Sequence, residues 1–288
     1  MKLKVYTMDS FAKTSDGGNP AAVVLHADNL SASQMKAVAK KIGFSETAFV
    51  MASDKADFKV RFFTPTDEVD LCGHATIGFF YLMAVKDFLK TGMYSQETNA
   101  GILSVEITED QLVLMDQSKP KFYEYVDKQL IAESLGISVL DLHADLQPQI
   151  VSTGMRDIMV PIRNLETLQN IVPNMALVSE VSSRYDTIGY HLFSLESLGG
   201  TAHTRNLAPL YGIPEESACG TANGALSSYL HHHQMISSVQ ARNIVMEQGY
   251  TMNKPSEILA SLETDERGIQ RVRIGGTAKN INEMTIEV

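Results

Sequence analysis

The 288 residues contain only two cysteines, and each stands before a glycine at the head of a run with helical periodicity: Cys72-Gly73-His74 and Cys219-Gly220-Thr221, 147 residues apart. In the second run Ala222, Ala225, Leu226, Tyr229 and Leu230 recur at the spacing of one apolar helix face. The same offset lays them over Ala75, Gly78, Phe79, Leu82 and Met83, and lays Glu215 over Glu68. A helix and its approach repeated at one offset point to a duplicated half-unit. At 44% apolar residues, a chain of this length has material for two cores of ordinary domain size.

The elements between these points read as mixed strands and helices. Lys2 to Met8 alternates as a strand, Asp16-Gly17-Gly18-Asn19 turns, and Ala21 to Leu25 returns. Ser31 and Gln34 form a capping box ahead of Met35, Val38, Ala39 and Ile42, with Gly43 suited to the C-terminal cap. Strands are expected over 45–50 and 58–64, then a buried helix from His74 to Lys90 with lysines in its last turns. Ile102 to Thr108 and Gln111 to Met115 make a hairpin, and the polar stretch from Gln117 to Tyr125 reads as a linker. The second half follows with a helix over 128–135, strands over 149–162, helical patterns over 164–185 and strands over 187–206. The expected halves are 1–118, joined by the C-terminal strand 277–288, and 119–276.

The net charge of -10 gives no basic footprint for phosphate backbones, so nucleic acid is not an expected partner and a small molecule is. The run from Ala75 to Val85 is too short to span a bilayer, and the N-terminus lacks a signal h-region, which points to the cytoplasm and away from membranes. Two distant cysteines make neither a disulfide framework nor a zinc-ligand spacing. His231-His232-His233 points around a helix and is read as its solvated end, and no nucleotide fingerprint is present. No cofactor and no metal are expected.

A short turn entering a buried helix leaves the first backbone N–H groups without internal partners, a ready cradle for a substrate carboxylate. Helix N-termini also favour the thiolate, so Cys72 and Cys219 are candidate bases, or else small buried residues packed at equivalent helix starts. Glu46, between apolar neighbours at a strand start, suits proton shuttling or is a plain strand-end carboxylate. His74 can carry a proton or orient a carboxylate. Asp70 and Glu216 flank the two Cys-Gly steps and either take part in the chemistry or complement a helix dipole.

Five motifs, Gly17-Gly18-Asn19-Pro20-Ala21-Ala22-Val23-Val24, Ser45-Glu46-Thr47-Ala48-Phe49, Arg61-Phe62-Phe63-Thr64-Pro65, Leu71-Cys72-Gly73-His74-Ala75-Thr76 and Glu247-Gln248-Gly249, resemble in order those of the PhzF-like (phenazine biosynthesis) family. The resemblance implies an α/β (α+β) protein of the diaminopimelate-epimerase-like fold. It would have two pseudo-symmetric domains, each a curved, mostly antiparallel sheet wrapped around a central helix, with the active site in the cleft and a homodimeric assembly. It implies Glu46 as the acid–base of a proton-shift isomerisation, with His74 in the same site. Asn19, Gly73, Gly220 and Thr221 are the expected substrate-binding positions, and Glu216 an orienting group. Where the family usually has Asp-Pro-Val-Thr-Gly-Ser-Ala, this chain has Glu216-Ser217-Ala218-Cys219-Gly220-Thr221-Ala222. The second cysteine resembles diaminopimelate epimerase and proline racemase, which use paired thiols. The expected function is therefore a cofactor-independent isomerase acting on a small carboxylate-bearing substrate. A two-thiol amino-acid or hydroxy-acid epimerase, and a non-catalytic binding protein, are the alternatives.

Overall fold

Local signals in the first half act as expected in the computed structural model, which describes residues 2–287. The chain forms two units, Met1–Asp116 with Gly275–Val288, and Gln117–Ile274. In the first, strand β1 (Lys2–Ser10) pairs antiparallel with β2 (Asn19–Val24). Helix α1 (Ala32–Ile42) leads to β3 (Thr47–Met51), parallel to β2. The Ser31 hydroxyl accepts the Gln34 N–H, the Gln34 side chain accepts the Ser31 N–H, and Gly43 closes the helix at φ 77°. Strand β4 (Phe58–Phe63) lies antiparallel to β3 and to the short β5 (Glu68–Val69).

Helix α2 (Gly73–Val85) follows, then β6 (Gly92–Thr98), parallel to β4, and the antiparallel run β7 (Gly101–Ile107) and β8 (Val113–Gln117). α2 packs on β1, β2, β3 and β7, and most of its side chains are buried. It ends at Val85 rather than Lys90. Asp87 takes the left-handed conformation at φ 58°, and the Asp87 and Phe88 N–H groups turn back to the carbonyls of Ala84 and Met83. Lys86 and Lys90 therefore stand beyond the last turn instead of within it.

The second unit departs at its start from the sequence expectation. The stretch read as a linker contains β9 (Lys121–Tyr125), antiparallel to β10 (Gln149–Ser152). Between them lies α3 (Lys128–Leu135), capped by Asp127. Strand β11 (Arg156–Pro161) pairs antiparallel with β10, and α4 (Leu165–Asn170) and α5 (Met175–Arg184) lead to β12 (Gly189–Ser194), parallel to β11. β13 (Ala202–Ala208) lies antiparallel to β12 and to β14 (Ile213–Glu216). Helix α6 (Gly220–His232) precedes β15 (Ile244–Gln248), parallel to β13, followed by β16 (Ser256–Asp265) and β17 (Gly268–Gly276). α6 packs on β10, β11, β12 and β16. The chain then returns to the first unit as β18 (Ala278–Glu287), antiparallel to β1.

Each unit thus has the same sequence of pairings around one buried helix: antiparallel, parallel, antiparallel, then a parallel partner supplied after the helix. β18 beside β1 corresponds to β9 beside β10. A conserved device of the repeat is a bidentate ion pair between matching strands. Arg61 donates to both oxygens of Glu68 at 2.7 Å, and Arg205 to both oxygens of Glu215 at 2.9 Å. The register extends the match: Arg61 pairs with Phe49 and Arg205 with Leu192, so Thr47 corresponds to Tyr190 and Glu46 to Gly189.

The histidine tract is less solvated than its sequence suggests. His232 stacks on Phe122 with centroids 4.2 Å apart, and His233 Nε2 lies 2.9 Å from Gln149 Oε1. Among the described residues no helix is long and apolar enough to cross a membrane.

Candidate functional site

Both Cys-Gly steps place the cysteine at the N-cap of a 13-residue helix with nearly the same backbone: φ -136°, ψ 116° at Cys72 and φ -122°, ψ 105° at Cys219. Neither thiol caps its helix. In each case the side chain four residues on bonds back to the cysteine carbonyl, Thr76 Oγ1 at 2.8 Å and Asn223 Nδ2 at 2.8 Å. That contact fixes the first turn and leaves its leading amides directed out of the helix end. The two 13-residue helices begin at Gly73 and at Gly220, with Thr221 next in the second.

Around the first helix start the structure gathers most of the expected groups. Glu46 ends the approach to β3, and its side chain is 19% exposed. Its Oε2 lies 3.3 Å from His74 Nε2, yet that buried oxygen has no hydrogen-bond partner, so the two atoms are in contact without the alignment of a bond. His74 Nδ1 lies 3.2 Å from the amide nitrogen of Asn19, at the head of β2. Assigned as an acceptor there, Nδ1 leaves Nε2 to carry the proton of the neutral ring. The Cys72 sulfur sits 3.5 Å from Nδ1 and 3.7 Å from Nε2. Ser10 Oγ donates to the His74 carbonyl at 2.7 Å, tying the helix start to β1.

The second unit holds Cys219, Gly220, Thr221 and Glu216 together but has no equivalent of Glu46. The matching position is Gly189, where a Cβ would collide with the Leu207 carbonyl oxygen. Backbone packing therefore forbids any side chain there. In place of a carboxylate and an imidazole at the helix start, this unit has a chain of polar groups around the helix. His191 Nε2 lies 3.1 Å from Asn223 Oδ1, and Asn206 Nδ2 lies 3.3 Å from His191 Nδ1. Asn223 Nδ2 donates to Gln248 Oε1 at 2.7 Å, which also accepts the Cys219 N–H at 3.3 Å. Gln248 Nε2 donates to the Glu216 carbonyl at 2.8 Å.

Gln248 and Asn223 were not singled out from the sequence, although Gln248 lies inside the Glu247-Gln248-Gly249 motif. Each residue of that motif now has a physical reason. Glu247 accepts the Leu198 and Gly200 N–H groups and contacts His203 Nδ1 at 3.1 Å. Gln248 clamps both sides of Cys219. Gly249, at φ 82°, approaches the Ser217 and Lys254 carbonyls so closely that a Cβ would not fit.

Asp157 sits at the far end of the polar chain, hydrogen-bonded to Asn206. Burial pushes its carboxyl up to about 7, while burial holds His191 down to about 4. The signs oppose. Asp157, raised from 3.8, stabilises the fold fully below that value and loses the effect as pH rises to about 7. His191, lowered from 6.5, stabilises the fold above that value and loses the effect as pH falls toward 4. Asp157→Asn removes the first slope and unmasks the second. Urea melts of the variant at about pH 6.5 and 4.5 are expected to show an acid-induced loss greater than that of the parent by roughly 2–3 kcal/mol. Equal losses in both proteins would overturn this assignment.

The chain is similar to known proteins over nearly its whole length. A family model described as PhzC-PhzF, phenazine biosynthesis-like protein, matches residues 8–283. An uncharacterized isomerase of Clostridium acetobutylicum is 35% identical, over 96% of this chain and 95% of that one. The trans-2,3-dihydro-3-hydroxyanthranilate isomerase of Pseudomonas chlororaphis is 27% identical over 97% of each chain. Among solved structures, the PhzF-family phenazine biosynthesis protein of Bacillus anthracis superposes at a TM-score of 0.90, with 30% identity and complete coverage of both chains. A hydroxyproline epimerase of Agrobacterium vitis superposes at 0.64 with 12% identity, over 99% of this chain and 91% of that one, a likeness of fold alone.

Proposed function

The chain belongs to the phenazine biosynthesis-like PhzC-PhzF family and is an isomerase, and from that premise we propose that it moves a proton within a small carboxylate-bearing substrate, with Glu46 as the acid–base. The observation that carries this reading is the state of Glu46 Oε2: buried, 3.3 Å from His74 Nε2, and without a hydrogen-bond partner. An oxygen desolvated in this way has a lone pair to offer a carbon-bound proton. His74, oriented through Asn19, presents Nε2 beside the carboxylate and positions the substrate. The N–H groups at the Gly73 helix start bind the substrate's carboxylate and stabilise charge that develops when the α or vinylogous proton leaves. Gly220 and Thr221 offer donors of the same kind, and Glu216 is the orienting group beside them.

The Pseudomonas chlororaphis relative is named for an anthranilate-type acid, which supports the substrate class. No step of the proposed proton transfer calls for a cofactor. Confinement of the carboxylate to one unit favours a single base over two. A single base removes and returns a proton on one face and can hand back the same proton. A two-thiol epimerase must deliver a solvent-derived one from the opposite face.

The second reading, an epimerase using Cys72 and Cys219, rests on the matched geometry of the two N-cap thiols. Turnover in deuterium oxide distinguishes the two, using the dihydro-hydroxyanthranilate and a panel of amino and hydroxy acids. Partial retention of the substrate proton in an isomerised product, insensitive to Cys219→Ser, is expected. Complete deuteration with inversion at one carbon, lost in Cys72→Ser and in Cys219→Ser, would replace the first reading with the second.

A further inference from the structure

Cysteine count argues against a multi-thiolate zinc knot, but it does not bear on a site that uses one thiolate. Among the described residues, Glu46, Cys72 and His74 bring one ligand atom each to within 4.8 Å of one another. We propose that these three side chains form a zinc-binding site that holds the protein in a reversibly inhibited state. Carboxylate, imidazole and thiolate are the ligand types zinc takes, in a tetrahedron with Zn–S near 2.3 Å and Zn–N and Zn–O near 2.0–2.2 Å. Those bond lengths give ligand-to-ligand edges of roughly 3.3–3.6 Å. The observed separations are 3.7 Å from Cys72 Sγ to His74 Nε2 and 3.3 Å from His74 Nε2 to Glu46 Oε2.

Two further features fit a common centre. Glu46 Oε2 and His74 Nε2 approach without the alignment of a hydrogen bond, so neither atom is held by the other and both can turn to a common ion once the ring proton has moved. His74 also has an outer partner: Asn19 at 3.2 Å from Nδ1 holds the ring. With zinc on Nε2 the ring proton moves to Nδ1, and the Asn19 amide turns over to accept it with its oxygen. The Cys72 proton is released to solvent as the thiolate binds, so three protein ligands and one open position result. Cys72 and His74 are both under 9% exposed, which shields the ion from competing water.

Inhibition rests on the proposed role of Glu46, because an ion on Oε2 occupies the lone pair that would take the substrate proton. The site itself is tested without turnover. Titration of the intact protein with Co²⁺ is expected to produce the thiolate-to-cobalt charge-transfer band and strong visible bands of tetrahedral cobalt, saturating at one equivalent and displaced by Zn²⁺. The band should persist in Cys219→Ser and vanish in Cys72→Ser, with thermal melting used to establish that both variants are folded. Glu46→Gln should keep the thiolate band at weakened affinity, and Asn19→Ala should lower affinity by about tenfold to a hundredfold. Cobalt held by His231, His232 and His233 would give no thiolate band. Absence of that band in the parent protein, or its survival in Cys72→Ser, would overturn the site. Cobalt bound through Cys72 without loss of turnover would leave the site standing and count against the acid–base role of Glu46.

Discussion

Glu46→Gln is expected to lower kcat by about 10²–10⁴ while KM changes far less, the loss typical of removing a positioned acid–base. Glutamine keeps the size of the side chain and its contact with His74 but has no oxygen that can take and return a proton. On the proposed reading the substrate is held by helix-start amides that the substitution does not touch, so the effect should fall on the chemical step. The repeat offers no substitute within its own topology, because the position corresponding to Glu46 is Gly189, closed by the Leu207 carbonyl. Steady-state kinetics with whichever acid shows deuterium exchange checks this. A variant within a factor of a few of the parent kcat would remove Glu46 from the mechanism.

The helix starts were legible in the sequence because their signals are local. A capping box, a left-handed glycine and a Cys-Gly step each act over four or five residues, and Ser31, Gly43, Cys72 and Cys219 all behave as such signals predict. The duplication was legible because two helices share one offset. What lay out of reach depends on strand register. Gly189 reads as an ordinary glycine until pairing places it opposite the β13 backbone, and Asp157, His191, Asn206, Asn223 and Gln248 meet only because four separate elements bring them around α6. The end of α2 is hidden for a related reason. Apolar character continues through Phe88 and Leu89, but Asp87 in the left-handed region turns the chain, and no glycine announces it. β9 resembles a linker in sequence because polar side chains hide a backbone whose pairing is supplied by β10.

The two bidentate ion pairs make the repeat testable as an energetic asymmetry. Arg205→Ala should destabilise the protein by about 3–5 kcal/mol, because it strips a buried carboxylate of its charged partner and leaves it the Thr251 hydroxyl at 2.6 Å. The Arg205 side chain is 6% exposed and Glu215 is 14% exposed, and the guanidinium also donates to the carbonyls of Leu168 and Ile171 at 3.0 and 2.8 Å. Truncation leaves one charge and two carbonyls short of a donor. Arg61 and Glu68 form the same fork at 23% and 26% exposure, where water can reach both groups after truncation. Arg61→Ala should therefore cost about 1 kcal/mol or less, in the range of solvated pairs. If burial decides the cost, replacing Arg205 and Glu215 together by apolar residues of similar size should recover most of the loss, while the matching double change at Arg61 and Glu68 should alter little. Equilibrium urea unfolding of the four variants reads the contrast directly. Equal losses at Arg61 and Arg205 would show that the geometry of the fork, rather than its removal from water, sets the energy of the pair.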